Sequence, residues 1–199
     1  MGDDGSGPGF NTSFTWSADG SWNEIEIAPM PVPQLQHASG FVTTPAGAPV
    51  AMVHCNNCTS DINAWVKLFG EFGKLMGYDM DRNEMFTKLY SVALEGDADC
   101  GGLVSYNYLS GEPVTGFAKG SPLFMRGAED SFTLPNFMRM NLYSALGALK
   151  VGLDILTKEE KVAIKKMYGH GGFFKTPVAG QTIASAACNS PVSVMETAG

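Results

Sequence analysis

The chain has 199 residues, of which 44% are hydrophobic and 17% charged, and its formal net charge at pH 7 is −7. This composition excludes a disordered chain and suits one or two globular domains with a sizeable core. The acidic balance excludes a nucleic-acid surface, which needs clustered lysine and arginine. Because no apolar run reaches the ~20 residues of a membrane span and no signal-peptide pattern is present, we expect no membrane partner and a cytoplasmic location.

The first fifty residues predict small β-structures. Residues 1–13 show no periodicity and are predicted to form a flexible lead. From Phe14 to Ile27, aromatic and β-branched residues alternate around Asp19-Gly20, which predicts a β-hairpin. Further on, 41–44 and 50–54 flank a proline-rich turn, so we expect an antiparallel pair there.

Four cysteines are too few and too scattered for a disulfide framework, which fits a reducing compartment. Cys55 and Cys58 form a C-x-x-C beside His54, and this leaves a zinc or redox interpretation open. A structural zinc site needs four ligands, and the sequence offers no second pair of ligand residues at suitable spacing. We therefore favour a structural role for both cysteines and predict no metal site formed by the chain itself.

Two amphipathic helices follow. The first begins at Thr59 or Ser60 and ends near Met76, and the second begins at the acidic cap Asp81 and ends near Glu95. Apolar residues at three- and four-residue spacing predict the inward faces. The predicted inward residues are Ile62, Trp65, Val66, Phe69, Phe72 and Met76 in the first helix, and Met85, Phe86, Leu89 and Val92 in the second.

The middle of the chain predicts one strand and one long helix. Leu103–Leu109 has the composition of a strand, and the following stretch to Asp130 is predicted to be loop. Helical spacing then extends from Leu134 to Leu156, with Pro135 acceptable in the first turn. A helix of this length is expected to cross the face of a sheet. Thr157 to Glu160 has the pattern of a further capping box.

The most informative stretch lies near the C-terminus. It predicts a strand over Val162–Tyr168, a glycine-rich turn over Gly169–Lys175 and a small-residue helix over Pro177–Cys188. Glycines at such a junction let backbone N–H groups approach a ligand, and the helix N-terminus adds a positive dipole, so the turn can hold a phosphate. His170 is either a phosphate donor or a plain turn residue, and we favour the second, while Lys175 is either a phosphate contact or a solvated lysine.

Together, Lys175, Gln181 and the run Ala184, Ala186 and Ala187 before Ser190-Pro191-Val192 resemble the adenosine-binding motif of the FGGY carbohydrate kinases. The order of elements from about Phe41 onward is similar to the C-terminal domain of that family. The resemblance implies an α/β, ribonuclease H-like domain of the actin/hexokinase ATPase type, with a mixed sheet and flanking helices. It also implies ATP and Mg²⁺ as cofactors. The implied nucleotide contacts are Gly171, Gly172, Phe173, Lys175 and Gln181.

The sequence departs from the family pattern at several points. His170 interrupts the glycine run, and the family's Gly-Thr-Ser phosphate motif is matched only by Asn11, Thr12 and Ser13, so residues 1–13 are a flexible lead or a remnant of that motif. Residues 14–199 are predicted to form the C-terminal ATP-binding domain, truncated at its end. No catalytic base is nominated, because the family's base lies before this domain. Each of the candidates has a simpler role: Asp61, Asp97, Asp99, Glu112 and Asp154.

The sequence therefore favours the nucleotide-binding half of a carbohydrate kinase that transfers the ATP γ-phosphate to a sugar, with a pentulose such as xylulose as the family-level substrate. We expect the isolated chain to be inactive, because the sugar is expected to bind in a second domain. The alternative is a non-catalytic ribonuclease H-like module used for assembly. A truncated last helix would leave apolar surface open near Ile183 and Val194, which predicts self-association as a homodimer.

Overall fold

The computed structural model describes residues 41–43, 49–51, 57, 59–112, 116, 118–159, 161–164, 166–176 and 178–194. Four α-helices and six strands occur in this part of the chain. The helices are α1 (Ser60–Leu75), α2 (Arg82–Val92), α3 (Leu134–Asp154) and α4 (Ala179–Cys188). The strands are β1 (Phe41–Thr43), β2 (Pro49–Ala51), β3 (Val104–Tyr106), β4 (Leu123–Met125), β5 (Met167–Gly169) and β6 (Val192–Val194). The predictions for Thr12, Ser13, the Phe14–Ile27 hairpin and the Cys55–Cys58 motif lie outside the described residues.

The two amphipathic helices begin where the sequence predicts. The Asp81 carboxylate accepts hydrogen bonds from the backbone N–H groups of Asn83 (2.9 Å) and Glu84 (3.1 Å), which is the Asp81 half of the predicted capping box. Ile62, Val66, Phe86 and Leu89 are buried as predicted. On α1, however, the prediction is wrong for Phe72 and Met76, which are 62% and 58% exposed. The apolar face of α1 is therefore wider than the part that the described core covers.

Helix α3 forms the centre of the described core. Thr133 caps it by accepting from Asn136 N, and its buried side chains follow the predicted spacing through Phe137, Met138, Leu142, Leu146, Leu149 and Leu153. α2, α4 and β3 pack around it. The predicted capping box after this helix is wrong, because residues Ile155–Glu159 continue it as a π-helical turn and the Thr157 hydroxyl donates to the Leu153 carbonyl.

The expectation of a mixed sheet crossed by α3 is not met within the described residues. Their strands form three separate two-stranded pairs: β1–β2 antiparallel, β3–β4 antiparallel and β5–β6 parallel. Each strand has only three residues, so a single pair cannot cover a 21-residue helix. The fold is mixed α/β, but the helices supply most of its buried apolar surface.

The sheet pairs also correct the predicted strand limits. β1 and β2 confirm the antiparallel pair around the proline-rich turn, with Phe41 opposite Ala51. β4 lies inside the stretch predicted to be loop and pairs with β3, which ends at Tyr106 rather than Leu109. The chain leaves β3 there because Asn107 is buried and its side-chain amide donates to the Asn57 carbonyl (2.8 Å).

The C-terminal elements form a βαβ unit. β5 and β6 are parallel, with Met167 opposite Val192, and α4 is the crossover that parallel strands need. The predicted open surface at this end is wrong: Ile183 is fully buried in the core, and Val194 is half-buried in β6. Asn189, in the left-handed conformation, ends α4, so the chain turns back into a strand instead of extending the helix.

Burial of the Cys188 thiol makes the stability of this unit sensitive to high pH. Burial raises the pKa of Cys188 to about 11, although the positive charge of Lys150 opposes the shift. The folded chain therefore keeps this proton between about pH 9 and 11 while the unfolded chain loses it, so stability falls as pH rises through that window. We expect a loss of about 2 kcal/mol in the free energy of unfolding by pH 11.

Urea denaturation at pH 8 and pH 11 measures this loss. Burial also raises the pKa of Cys100 and of Tyr90, so their contributions have the same sign and remain in any Cys188 variant. Cys188→Ala should therefore reduce the loss without abolishing it. An equal loss in Cys188→Ala and the parent chain would contradict the assignment to Cys188.

Candidate functional site: a glycine turn at the start of α4

The candidate site is the connection between β5 and α4. β5 ends at Gly169, residues Gly172–Lys175 form one 3₁₀ turn, and α4 begins at Ala179. Gly171 has a φ of 98°, a conformation that residues with a side chain rarely adopt, and its carbonyl accepts from Phe174 N (3.0 Å). Gly171 is therefore required by the backbone of this turn.

Two further glycines permit close packing on either side of the turn. A Cβ on Gly169 would lie 2.2 Å from an atom of the Phe174 ring, and a Cβ on Gly180 would lie 2.5 Å from the Phe173 carbonyl oxygen. Neither distance is possible for real atoms. The turn is thus pressed directly against the end of β5 and the first turn of α4.

The two phenylalanines of the turn point into the protein. Phe173 is 2% and Phe174 6% exposed, and their rings meet edge-to-face at 5.3 Å. Phe173 also packs edge-to-face on Tyr90 of α2, with 5.4 Å between ring centroids. Among the predicted contact residues, Phe173 can therefore offer a ligand only its main chain.

The polar residues of the turn occupy the opposite side. Lys175 and His170 are exposed, and Gly171 and Gly172 are half-buried between them and the core. The Lys175 ammonium takes part in no ion pair of the described residues. The exposed Lys175 ammonium thus lies beside a glycine turn whose other side packs against the core.

Gln181 lies in the first turn of α4, where its amide donates to the Val192 carbonyl of β6 (2.7 Å). In β6 the Val192 N–H in turn donates to the Ser185 hydroxyl (3.0 Å). These bonds hold the helix on the strand. The sequence predicts a nucleotide contact for Gln181, whereas in the structure its side chain bonds to β6.

The arrangement can hold an anion. The first N–H groups of an α-helix have no acceptor within the helix, and the helix dipole places partial positive charge at this end. α4 directs this end toward the connection that carries Lys175 and the two glycines. The carboxyl end of β5 lies at the same place, which is where parallel αβ units bind ligands.

A second polar cluster was missed by the sequence reasoning. Glu112, predicted to be a plain loop carboxylate, is 1% exposed, and its Oε2 lies 3.4 Å from Asn57 Nδ2. Asn57 also accepts from Ser110 N (2.7 Å) and donates to the Gly111 carbonyl. These bonds join residue 57 to a loop more than fifty residues later. No periodicity marks this cluster in the sequence, since its members lie in irregular segments.

The other carboxylates have the structural roles that the sequence suggests. Asp61 accepts from Trp65 Nε1 (3.3 Å), and burial raises its pKa. Asp97 bonds to the buried Asn136 at the start of α3. Hydrogen bonds from Lys150 and Lys158 hold the pKa of Asp154 below its usual value.

Among the described residues, no three side chains converge as metal ligands, and no helix combines the length and apolar character needed to cross a membrane.

Comparison with known proteins now adds to this geometry. Solved structures of two xylulose kinases are among those that share the fold. The chain superposes on xylulose kinase from Bifidobacterium adolescentis with a TM-score of 0.54 and 19% identity, over 79% of this chain and 28% of that one. For xylulose kinase from Rhodospirillum rubrum the values are 0.50 and 17%, over 66% and 25%. A search of curated proteins finds no match.

The α/β fold that the chain shares with these kinases, taken with its family match, is of the actin/hexokinase-like class. The sequence model of the FGGY family of carbohydrate kinases, C-terminal domain, matches residues 26–199. The chain therefore belongs to this family, as the resemblance of its C-terminal motif predicted. It spans less than a third of the length of either xylulose kinase.

Proposed function

We propose that the chain is the nucleotide-binding part of an ATP-dependent sugar kinase, and that the turn between β5 and α4 holds the phosphates of ATP. The observation that carries the proposal is the combination at one place of a positive-φ glycine, an exposed lysine and the N-terminus of a βαβ helix. Membership of the FGGY family supports it, because phosphoryl transfer from ATP requires such a phosphate site.

Within this proposal the predicted contact residues take different parts. The backbone of Gly171, Gly172 and Phe173 approaches the phosphates, and Lys175 adds a positive charge beside them. Gln181, in the first turn of α4, holds this helix on β6 through its bond to the Val192 carbonyl. Thr12 and Ser13 stay predicted contacts, since both lie outside the described residues.

Mg²⁺ enters the proposal with the nucleotide. The described residues hold no cluster of carboxylates that could form a cage for the ion. Mg²⁺ bound together with the nucleotide would supply neutralisation of charge on the transferred phosphoryl group. The chain's own contribution is to fix the phosphates through backbone N–H groups and Lys175.

We further propose that the acceptor is a sugar hydroxyl, with a pentulose such as xylulose as the first candidate. The fold shared with two xylulose kinases supports this choice of class. Kinases of this architecture bring ATP and sugar together by closing two domains, which excludes water and aligns the reacting groups. This chain alone is accordingly expected to bind MgATP without phosphorylating a pentulose.

Calorimetric titration of the chain with MgATP tests the proposal. Saturable binding that depends on Mg²⁺ is expected. Lys175→Glu should weaken it by about tenfold, because the reversed charge repels the phosphates. Gly172→Val should weaken it as well, since its side chain would occupy the space of a phosphate.

Lys67→Glu is the matched control. Lys67 is also exposed to solvent but lies on α1 beside Glu71, away from the turn, so this charge reversal should leave MgATP affinity unchanged. No saturable binding at millimolar MgATP would overturn the proposal and favour a non-catalytic assembly module. Release of ADP by the chain alone in the presence of xylulose would contradict the two-domain requirement.

A further inference from the structure

Four buried aromatic rings contact one another in series from α2 to the glycine turn. The series begins at Phe86, which carries the Arg82 guanidinium over its face at 5.6 Å. Phe86 packs on Tyr90 at 5.6 Å, Tyr90 on Phe173 at 5.4 Å, and Phe173 on Phe174 at 5.3 Å. We call these four residues the aromatic ladder. All of its contacts are edge-to-face, the geometry that aromatic rings prefer.

The aromatic ladder ends at the glycine turn, whose backbone is closely packed on both sides. The Phe174 ring fills the space that a side chain on Gly169 would need, and the Phe173 carbonyl lies against Gly180 at the start of α4. A shift of either phenylalanine would therefore displace the end of β5 or the first turn of α4. The position of the turn backbone depends on how well the two rings are held.

Tyr90 holds them from the other side. It is 3% exposed, it is the ring of α2 that contacts Phe173, and α2 is itself fixed by the Asp81 cap. We propose that Tyr90 is a positioning residue for the nucleotide site, which fixes the phosphate-binding backbone of Gly171 and Gly172 through the ring of Phe173. This inference rests on the function proposed above, and Tyr90 itself touches no ligand.

Tyr90 acts through its ring. Edge-to-face contact needs the aromatic edge and face, so Tyr90→Phe keeps the support and Tyr90→Leu removes it while leaving an apolar side chain in the core. The phenol is neutral at physiological pH because its ordinary pKa lies near 10, and burial raises that pKa further. The effect of the tyrosine on the turn is therefore expected to be independent of pH in the neutral range.

The chain supplies a matched control in a second aromatic cluster. Phe137 of α3 is 5% exposed and packs edge-to-face on Trp65 (4.8 Å) and Phe124 (5.5 Å). None of its ring partners belongs to the turn. Phe137→Leu thus removes an equally buried ring from the core without weakening the ladder, and it separates loss of general stability from loss of positioning.

Two measurements on the chain and these three variants test the inference. The first is hydrogen exchange of the Phe174 amide, which donates to the Gly171 carbonyl and so reports whether the turn is closed. The second is the affinity for MgADP by titration. In Tyr90→Leu we expect exchange to become about tenfold faster and affinity to fall about tenfold. Both changes have the same cause, because loss of the Tyr90–Phe173 contact loosens the turn backbone that the two measurements report. In Tyr90→Phe and Phe137→Leu both values should stay close to those of the parent chain.

The outcomes distinguish the two proposals. If exchange at Phe174 is unchanged in Tyr90→Leu, or if Phe137→Leu accelerates it equally, the positioning role is overturned. If exchange responds as expected but the parent chain binds no MgADP, the ladder fixes the turn and the proposed function fails. If MgADP binds and Tyr90→Leu alters exchange without altering affinity, the turn is not part of the nucleotide site and the inference is overturned.

Discussion

Gly169→Ala is expected to lower the free energy of unfolding by about 3 kcal/mol or more, because a methyl group would be forced into an occupied space. Its Cβ would lie 2.2 Å, 2.5 Å and 2.5 Å from three atoms of the Phe174 ring. Phe174 is 6% exposed and packs edge-to-face on Phe173, so a shift of its ring would disturb that contact. Urea denaturation of the parent chain and the variant measures the loss.

Gly147→Ala is the control for this substitution. Gly147 lies within α3, and apart from its chain neighbours and the helix backbone no atom of the described residues lies within 4 Å of the position that its Cβ would take. Alanine favours a helix over glycine, so this variant should be more stable by about 0.5 to 1 kcal/mol. Opposite signs at the two glycines are the expected result. A loss below about 1 kcal/mol in Gly169→Ala would show that the turn is looser than the contact with Phe174 indicates.

Asn136→Ala is the second substitution with a large expected effect. Asn136 is 2% exposed and its side chain makes three hydrogen bonds: Oδ1 accepts from Asp97 N (2.7 Å), and Nδ2 donates to Asp97 Oδ2 and to the Ser131 carbonyl, each at 2.9 Å. Alanine would remove these three part-buried hydrogen bonds, each of which contributes about 1 kcal/mol. We expect the free energy of unfolding to fall by about 3 kcal/mol.

Asn141→Ala provides the comparison within the same helix. Asn141 is 3% exposed, but its side-chain hydrogen bond runs from Nδ2 to the Phe137 carbonyl (2.9 Å), within α3 itself. Its loss should cost about 1 kcal/mol, since that carbonyl keeps its helical partner. Equal losses in the two variants would contradict a network role for Asn136.

The sequence predicts the helices of this fold well, for a physical reason. A helix of ten or more residues repeats its apolar face several times, and Asp81 and Pro135 mark where two of them begin. The pattern does not show how far each face is covered, because that depends on neighbouring elements. Phe72 has the spacing of a core residue and is nevertheless exposed.

The strands and the site are predicted less completely. Three-residue strands are too short to show alternation, so β4 and β6 could be found only from the structure. The glycine turn could be located, because glycine residues and a following small-residue helix are local features. The support of the turn by Tyr90 and the cluster of Asn57 with Glu112 join residues far apart in the chain, and no local pattern records such pairs.

The parallel pairing of β5 and β6 has a consequence for how the C-terminal unit folds. Three residue pairs, beginning with Met167 and Val192, close a loop of more than twenty residues. So few ladder bonds cannot offset the entropy of closing the loop, and the docking of α4 on α3 has to supply the remainder. β5, the turn, α4 and β6 should therefore form and open as one cooperative unit, and a ligand bound at the turn would slow the opening of β6 as well.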